Sequence, residues 1–502
     1  MKNLLLFFCI GLLSISYVAG QTTADAYRYS SEELTGTARY RSMSGAFGAL
    51  GGDISAISIN PAGSAVFLNS FATFTLDHRN SENSVNYFNG LTTNERSDFN
   101  FSQAGGVLVF QGNSNNPWRK FTIGINFTET NNFDDNFIAS GTSNSSIDEY
   151  FLGYAEGVPL DLLETVDGES VTDLYTYLGE NQGFGTQQAM LGYQGYIINP
   201  ESTDLDNTSY NSSVEGGSFA QNYAMASTGM NGKLSFNFAT QYQDFLYLGA
   251  NLNTHFLNYN SSTLFTESNN NPGSTTTYVE FENNLNTTGD GFSFQLGAIA
   301  KVNQNVRLGA SYESPTWYNI REEATQYLET DNTLEGTTVV NPNTINIYPD
   351  YTLKTPGKLT GSLALLFGGS GLISFDYSYK DYTNMEFRPV NDPDFGIQNQ
   401  EINDTFQATS SYRVGGEYRI QGWSLRGGYR FEESPYRDRG NLGEVTGYSG
   451  GFGYNFGSVK LDLAYNKTEF SDARELYNVG LTNAANIDRD ISNFVISLSF
   501  GL

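Results

Sequence analysis

Residue types able to do covalent or metal chemistry are scarce in this chain. His78 and His255 are the only histidines and lie far apart, and the only cysteine, Cys9, falls in an apolar N-terminal run. Neither a nucleophile with an adjacent base nor a set of soft metal ligands can be assembled from them. The glycine-rich "GALGG" at 48–52 is no phosphate loop, because no Lys-Ser/Thr follows it and no βαβ unit surrounds it. A lipase would need a Ser-His pair that reaches lipid, and none can be placed. The reading is a protein without catalytic residues, metal site or cofactor.

Recognition by charge is left. In "SYRVGGEYRIQGWSLRGGYRFEE" a two-residue turn at Gln421-Gly422 puts Glu417 opposite Arg426 and Arg413 opposite Arg430. Glu417 and Arg426 satisfy each other. The like-charged pair Arg413/Arg430 costs a few tenths to about 1 kcal/mol unless an anion sits between them. Asp376, Asp53 and a ligand carboxylate are all candidates for that anion. Between Lys120 and Lys233 there is no Lys or Arg, although Asp134, Asp135, Asp148, Glu149, Asp161 and Glu164 lie there. Those acids either bridge calcium, a hard cation suited to carboxylates, or stand solvated.

The elements that would position these groups read as strands. Phe121, Ile123, Ile125 and Phe127 alternate with Thr122, Gly124, Asn126 and Thr128, and the same split recurs over 234–242, 246–253, 423–431, 452–456 and 459–466. One face is apolar and the other polar over about ten residues, the length at which a tilted strand crosses a bilayer. Tight joints at 112–118, 243–244, 303–305, 368–371, 421–422 and 457–458 alternate with long ones at 131–230, 317–356, 383–408 and 471–490, as in an outer-membrane barrel. The final "NFVISLSFGL" is one more such strand.

Residues 1–20, with Lys2, an apolar run too short to span a bilayer and "VAG" before Gln21, read as a signal peptide. Without Lys2, 25 basic residues face 54 acidic ones, a net charge of −29 that argues against nucleic acid. The fold expected is an all-β membrane β-barrel of about 14 antiparallel strands with long external loops. A glycine-rich hatch at 21–66 would plug the lumen of a barrel at 67–502, whose largest external loop is 131–230.

The hatch sequence "GTARYRSMSGAFGALGGDISAISINPAGSA" (36–65), with Gly51-Gly52-Asp53 ahead of Asn60-Pro61-Ala62, resembles the outer-membrane long-chain fatty acid transporters of the FadL type. Stretches 289–315 and 355–382 and the last strand are similar too. The resemblance implies a channel for passive uptake of hydrophobic small molecules such as long-chain fatty acids or hydrocarbons, seated in outer-membrane lipid. Gly51, Gly52, Asp53, Asn60, Pro61 and Ala62 would form its hatch or gate. Pro61 forces a turn by fixing its own φ and pushing Asn60 out of helical geometry. Leu160, Leu163, Val166, Leu174 and Leu178 recur at helical spacing. By the resemblance such loop helices would present Phe151, Leu152, Leu160, Leu163, Leu174, Leu178 and Phe184 as a landing groove, with Arg413 and Arg430 for a headgroup; by the residues alone they pack a cap. The same fold also implies two rivals, a PorV-like shuttle barrel that binds secreted proteins and a general porin.

Overall fold

A computed structural model describes residues 22–113 and 116–502; the signal-peptide reading at 1–20 lies outside the described residues. The alternating segments form fourteen antiparallel strands. They are β1 (Phe71–Tyr87), β2 (Gly90–Gln111), β3 (Trp118–Asn132, continued by Asp135–Ser143), β4 (Phe219–Tyr242), β5 (Leu246–Ser268), β6 (Thr276–Lys301) and β7 (Val306–Glu313, continued by Trp317–Asn332). The rest are β8 (Tyr351–Lys354, then Lys358–Phe367), β9 (Gly371–Asp381), β10 (Ala408–Ile420), β11 (Trp423–Glu432), β12 (Val445–Asn455), β13 (Val459–Glu475) and β14 (Ala484–Gly501).

Each strand is laddered to its neighbours, and β14 returns to β1 in the register Phe71↔Gly501 through Asn86↔Asn486, so the sheet closes and no strand edge is left to lipid. Outward positions such as Ile123, Phe238, Leu252, Trp423, Leu425 and Phe494 are apolar and exposed. No described helix is long and apolar enough to cross a membrane, so any crossing belongs to the strands.

Strand length differs around the wall. β4, β5 and β6 run for 24, 23 and 26 residues, whereas β11 has 10 and β12 has 11. The tall side carries the extracellular cap. The stretch 131–230, read from sequence as one loop, therefore begins and ends as strand, because the alternation of 135–143 and 219–230 continues above the lipid-facing band. Its irregular part, 144–218, holds three helices, α3 (Asp148–Ala155), α4 (Val171–Asn181) and α5 (Phe184–Gln194). The shorter side bears the helix Pro393–Thr405 between β9 and β10.

Candidate functional site: a lumen closed by hatch and cap

The N-terminal segment runs down the lumen. Helix α1 (Thr23–Ser30) sits at the loop end, where Tyr27 meets the rings of Tyr382, Phe406 and Tyr436 at 5.6, 6.1 and 5.6 Å. The chain passes through α2 (Ala38–Arg41) and reaches the short-turn end at Phe67, whose carbonyl accepts from Lys120 Nζ. Residues 40–65 are almost wholly buried.

A segment rich in turns leaves many backbone groups without a ladder partner, and burying them unpaired would be costly. The polar face of the strands supplies the partners. Asn237 donates to the Pro61 carbonyl and Asn251 to that of Ile57, each at 2.9 Å, while Gln295 reaches the carbonyls of Ser58 and Ile59 at 3.1 and 3.0 Å. Asp376 accepts the backbone N–H groups of Phe47 and Gly48, both at 2.9 Å. Alternating amides that in an open porin would face water are here the docking surface of the hatch.

The Gly-Gly-Asp and Asn-Pro-Ala stretches lie against each other. Gly51 and Gly52 take left-handed conformations, with φ of 61° and 67°, and a Cβ on Gly51 would stand 2.7 Å from the Gly63 carbonyl oxygen. Asp53 accepts from the Thr37 hydroxyl at 2.8 Å and the Ser55 N–H at 3.0 Å. Asn60 caps the turn Pro61–Val66 by accepting from the Ala62 N–H at 3.1 Å. Its amide nitrogen also donates to the carbonyls of Gly48 at 2.8 Å and Ala298 at 3.0 Å. This approach needs bare backbone in the wall: a Cβ on Gly297 would fall 2.1 Å from Asn60 Oδ1, and one on Gly309 2.3 Å from the Gly48 oxygen.

Arginines clasp the hatch to the other side of the wall. Arg39 binds Glu417 at 2.9 Å, and Arg41 faces Asp77 at 3.4 Å. Glu417, its side chain fully buried, also takes Arg426 at 2.7 Å and Arg419. The hairpin register matches the sequence reading, with Glu417↔Arg426 and Arg413↔Arg430. Two partners were not legible there: Arg39 as a second ligand of Glu417, and Glu432 as the anion between the like charges. Glu432 lies 3.2 Å from Arg413 and 3.4 Å from Arg430. Asp376 stands opposite Arg413 in the β9–β10 ladder with one carboxyl oxygen on the hatch backbone, whereas Asp53 is held within the hatch by Thr37 and Ser55. His255 points inward and is buried, 2.8 Å from Ser293 Oγ, and His78 points outward onto the Phe99 ring at 4.4 Å.

Above the hatch the loop helices seal the lumen. Phe151, Leu160, Leu163, Leu174 and Leu178 are buried in one apolar cluster with Phe137, Phe265 and Phe281 of the wall, and Leu152 and Phe184 are half-buried at its border. These side chains are engaged with one another and do not form an open greasy groove. Between the N-terminal segment and the wall lies a cavity of about 260 Å³, lined by Glu33 and Leu34 of that segment and by Arg79, Arg430, Arg489, Phe133, Tyr259 and Met225 of the wall among others. The cationic groups are largely countered: Arg489 by Asp135 at 2.7 Å and by Asp472, Arg79 by Glu33.

Beside this cavity the wall is weakest. The β2–β3 ladder ends at Gln103↔Thr128, and the continuation of β3 at Asp135–Ser143 pairs only with β4. Side chains bridge the seam instead. Asn94 accepts from the Ile138 N–H at 3.0 Å, Asn89 from the Thr142 N–H at 2.8 Å, and Thr92 donates to the Ile138 carbonyl. β3 itself breaks at Phe133-Asp134, both of which line the cavity.

A fourteen-stranded barrel with its lumen filled from the N-terminal side invites comparison with known proteins. The family of outer membrane transport proteins (OMPP1/FadL/TodX) matches residues 204–499. The chain belongs to this family. As a member of it, the protein is an outer-membrane transport channel of the FadL/TodX type and not an enzyme. No curated protein sequence matches the chain. Among solved structures, a FadL homologue of Pseudomonas aeruginosa is 13% identical with a TM-score of 0.53, over 94% of this chain and 99% of that one. The toluene transporter TodX of P. putida is 14% identical with a TM-score of 0.53, over the same shares. At such identity the likeness is one of fold alone.

Proposed function

We propose that the barrel passes hydrophobic small molecules into the cell by diffusion, through the cavity above the hatch and out through the β2–β3 seam. The observation that carries this reading is the closure of the lumen: hatch atoms are hydrogen-bonded to inward side chains of strand after strand, so no straight aqueous path favours a general porin. The seam opens just above Gln103↔Thr128, beside the outward Phe99 and Phe101 of the lipid-facing band and below the bridges at Ile138 and Thr142, so a molecule that leaves there must be soluble in the bilayer. The bonds from Asn89, Thr92 and Asn94, each worth about 1 kcal/mol net, with the Arg96–Asp134 pair, are easier to part than a full ladder.

Neutral ligands such as monoaromatic hydrocarbons are favoured over fatty acids, because the five arginines lining the cavity face six carboxylates, Glu32, Glu33, Asp134, Asp135, Glu432 and Asp472, and leave no excess positive charge for a ligand carboxylate. The hatch residues Gly51, Gly52, Asp53, Asn60, Pro61 and Ala62 act as a fixed seat. A PorV-like shuttle role rests on a different feature, the exposed Leu334, Ile345 and Ile347 between β7 and β8. Calcium has less support, since no group of three acidic or histidine side chains converges among the described residues; proteolysis of 144–218 with and without calcium tests it.

The test of the route is a cross-link. Cysteines at Thr92 and Ile138, oxidised across the seam, should abolish toluene uptake, and reduction should restore it. Uptake unaffected by oxidation would exclude the sideways path.

A further inference from the structure

We infer that Glu267 is a protonation-controlled latch that holds the root of the α3–α5 cap on the barrel rim. Glu267 stands near the top of β5, beyond the lipid-facing band, since the outward positions of that strand are apolar apart from Thr254 up to Phe256 and turn to Asn258, Asn260 and Ser262 thereafter. Its side chain points inward and the residue is 2% exposed. One carboxyl oxygen meets the Ser146 hydroxyl; the other accepts from the Ile147 backbone N–H at 3.1 Å and from the Gln221 amide at 2.7 Å. Gln221 in turn donates to the Ser145 carbonyl at 2.8 Å and accepts from the Tyr87 hydroxyl at 2.7 Å. A single carboxyl thus ties residues 145–147, directly ahead of α3, to β1, β4 and β5.

The surroundings contain no compensating cation. No Lys or Arg pairs with Glu267 among the described residues, and the cap sequence has none to offer. The groups that face it are Asp148 from α3, Tyr87 from β1 and Tyr477 from the β13–β14 loop, with apolar Val279 opposite on β6. Each of the three can only add negative charge. A carboxylate buried this way favours its neutral form. Burial, with Asp148 adding to it, pushes the Glu267 carboxyl up to about 7, against three hydrogen bonds that pull it down.

The neutral acid can still accept on one oxygen and can donate its own proton to Ser146 Oγ. The folded value lies above that of the unfolded chain, so the latch is at full strength below about pH 4.3 and loses strength as pH rises through 7. A cap that loosens in this window would admit ligand to the lumen more readily at neutral pH than in acid. That consequence for uptake rests on the channel reading; the latch itself does not.

Hydrogen exchange in the intact barrel in nanodiscs, corrected for intrinsic rates, tests the latch. In the wild type, protection over 144–156 should fall by up to about tenfold per pH unit between about pH 4.5 and 7 and level off above 7, while Glu267→Gln should keep its pH 5 protection up to pH 7. Parallel profiles in the two proteins, or a flat profile in the wild type, would overturn the inference. Should Glu267→Gln fail to insert, Ser146→Ala decides with the wild type: lower protection at every pH with the slope retained supports the latch, and a slope absent from both overturns it. Toluene uptake measured on the same samples separates the two ideas. A titrating cap with pH-independent uptake removes the regulatory half of the inference, and absence of uptake at every pH counts against the channel reading alone.

Discussion

The side-chain amide of Asn60 donates to the backbone carbonyl of Ala298 at 3.0 Å, so the hatch is bonded directly to the backbone of β6. The same amide group caps the turn at Pro61–Val66 and holds the Gly48 carbonyl, which ties three parts of the hatch and wall to one residue.

Asn60→Ala should therefore unseat the hatch without unfolding the barrel. Loss of buried bonds whose partners stay unsatisfied costs about 1–3 kcal/mol. Single-channel recordings should show brief openings absent from the wild type, and deletion of 22–66 should give a permanently higher conductance. Wild-type traces from both variants would mean that the segment does not obstruct the lumen.

Wall glycines should tolerate no side chain where the hatch lies against them. Gly309→Val places a branched carbon where a Cβ already falls 2.3 Å from the Gly48 carbonyl oxygen. We expect it to mimic the Asn60 variant, whereas Gly361→Val, on open outer wall, should be silent. Proteolysis of the hatch in folded barrels distinguishes the two.

Arg39 and Glu417 should differ in their effects although they are partners. Arg39→Gln leaves Glu417 with Arg426 and Arg419, and thermal unfolding in detergent should shift little. Glu417→Gln takes the shared carboxylate from Arg39, Arg419 and Arg426 at once, and since Arg426 keeps Asp462 at 2.6 Å the loss should be on the order of 3 kcal/mol. Equal shifts would mean that the cluster is not shared in the way its distances indicate.

Phe151→Ala and Leu178→Ala should open cavities in the cap, at about 3–5 and 2–5 kcal/mol respectively. The damage should stay local: faster exchange over 144–218 with barrel unfolding unchanged. Lost uptake with an intact cap would instead make these side chains ligand contacts.

Sequence alone carried the strands a long way, because a barrel strand has only two faces and Phe121 through Thr128 display both. Register at a tight turn was equally legible, which is why Arg413 and Arg430 could be paired from Gln421-Gly422. Contacts across the lumen were not. Asn237, Asn251 and Gln295 look like solvated lining in a one-dimensional pattern, and only the path of the hatch makes them its hydrogen-bond donors. The cap leucines show the same limit, since helical spacing reveals an apolar face without saying whether protein or ligand covers it. The β2–β3 seam left no signal either, as Asn94 and Asn89 replace ladder bonds that alternation would assign to backbone.

Selectivity of the barrel for hydrophobic solutes is measured by transport into vesicles with a lipopolysaccharide outer leaflet. Vesicles bearing the barrel should take up toluene faster than empty ones and glucose no faster. Oxidation of the Thr92/Ile138 cysteine pair should reduce the toluene rate to that of empty vesicles. Glucose uptake through the intact barrel, or toluene uptake equal to that of empty vesicles, would contradict that selectivity.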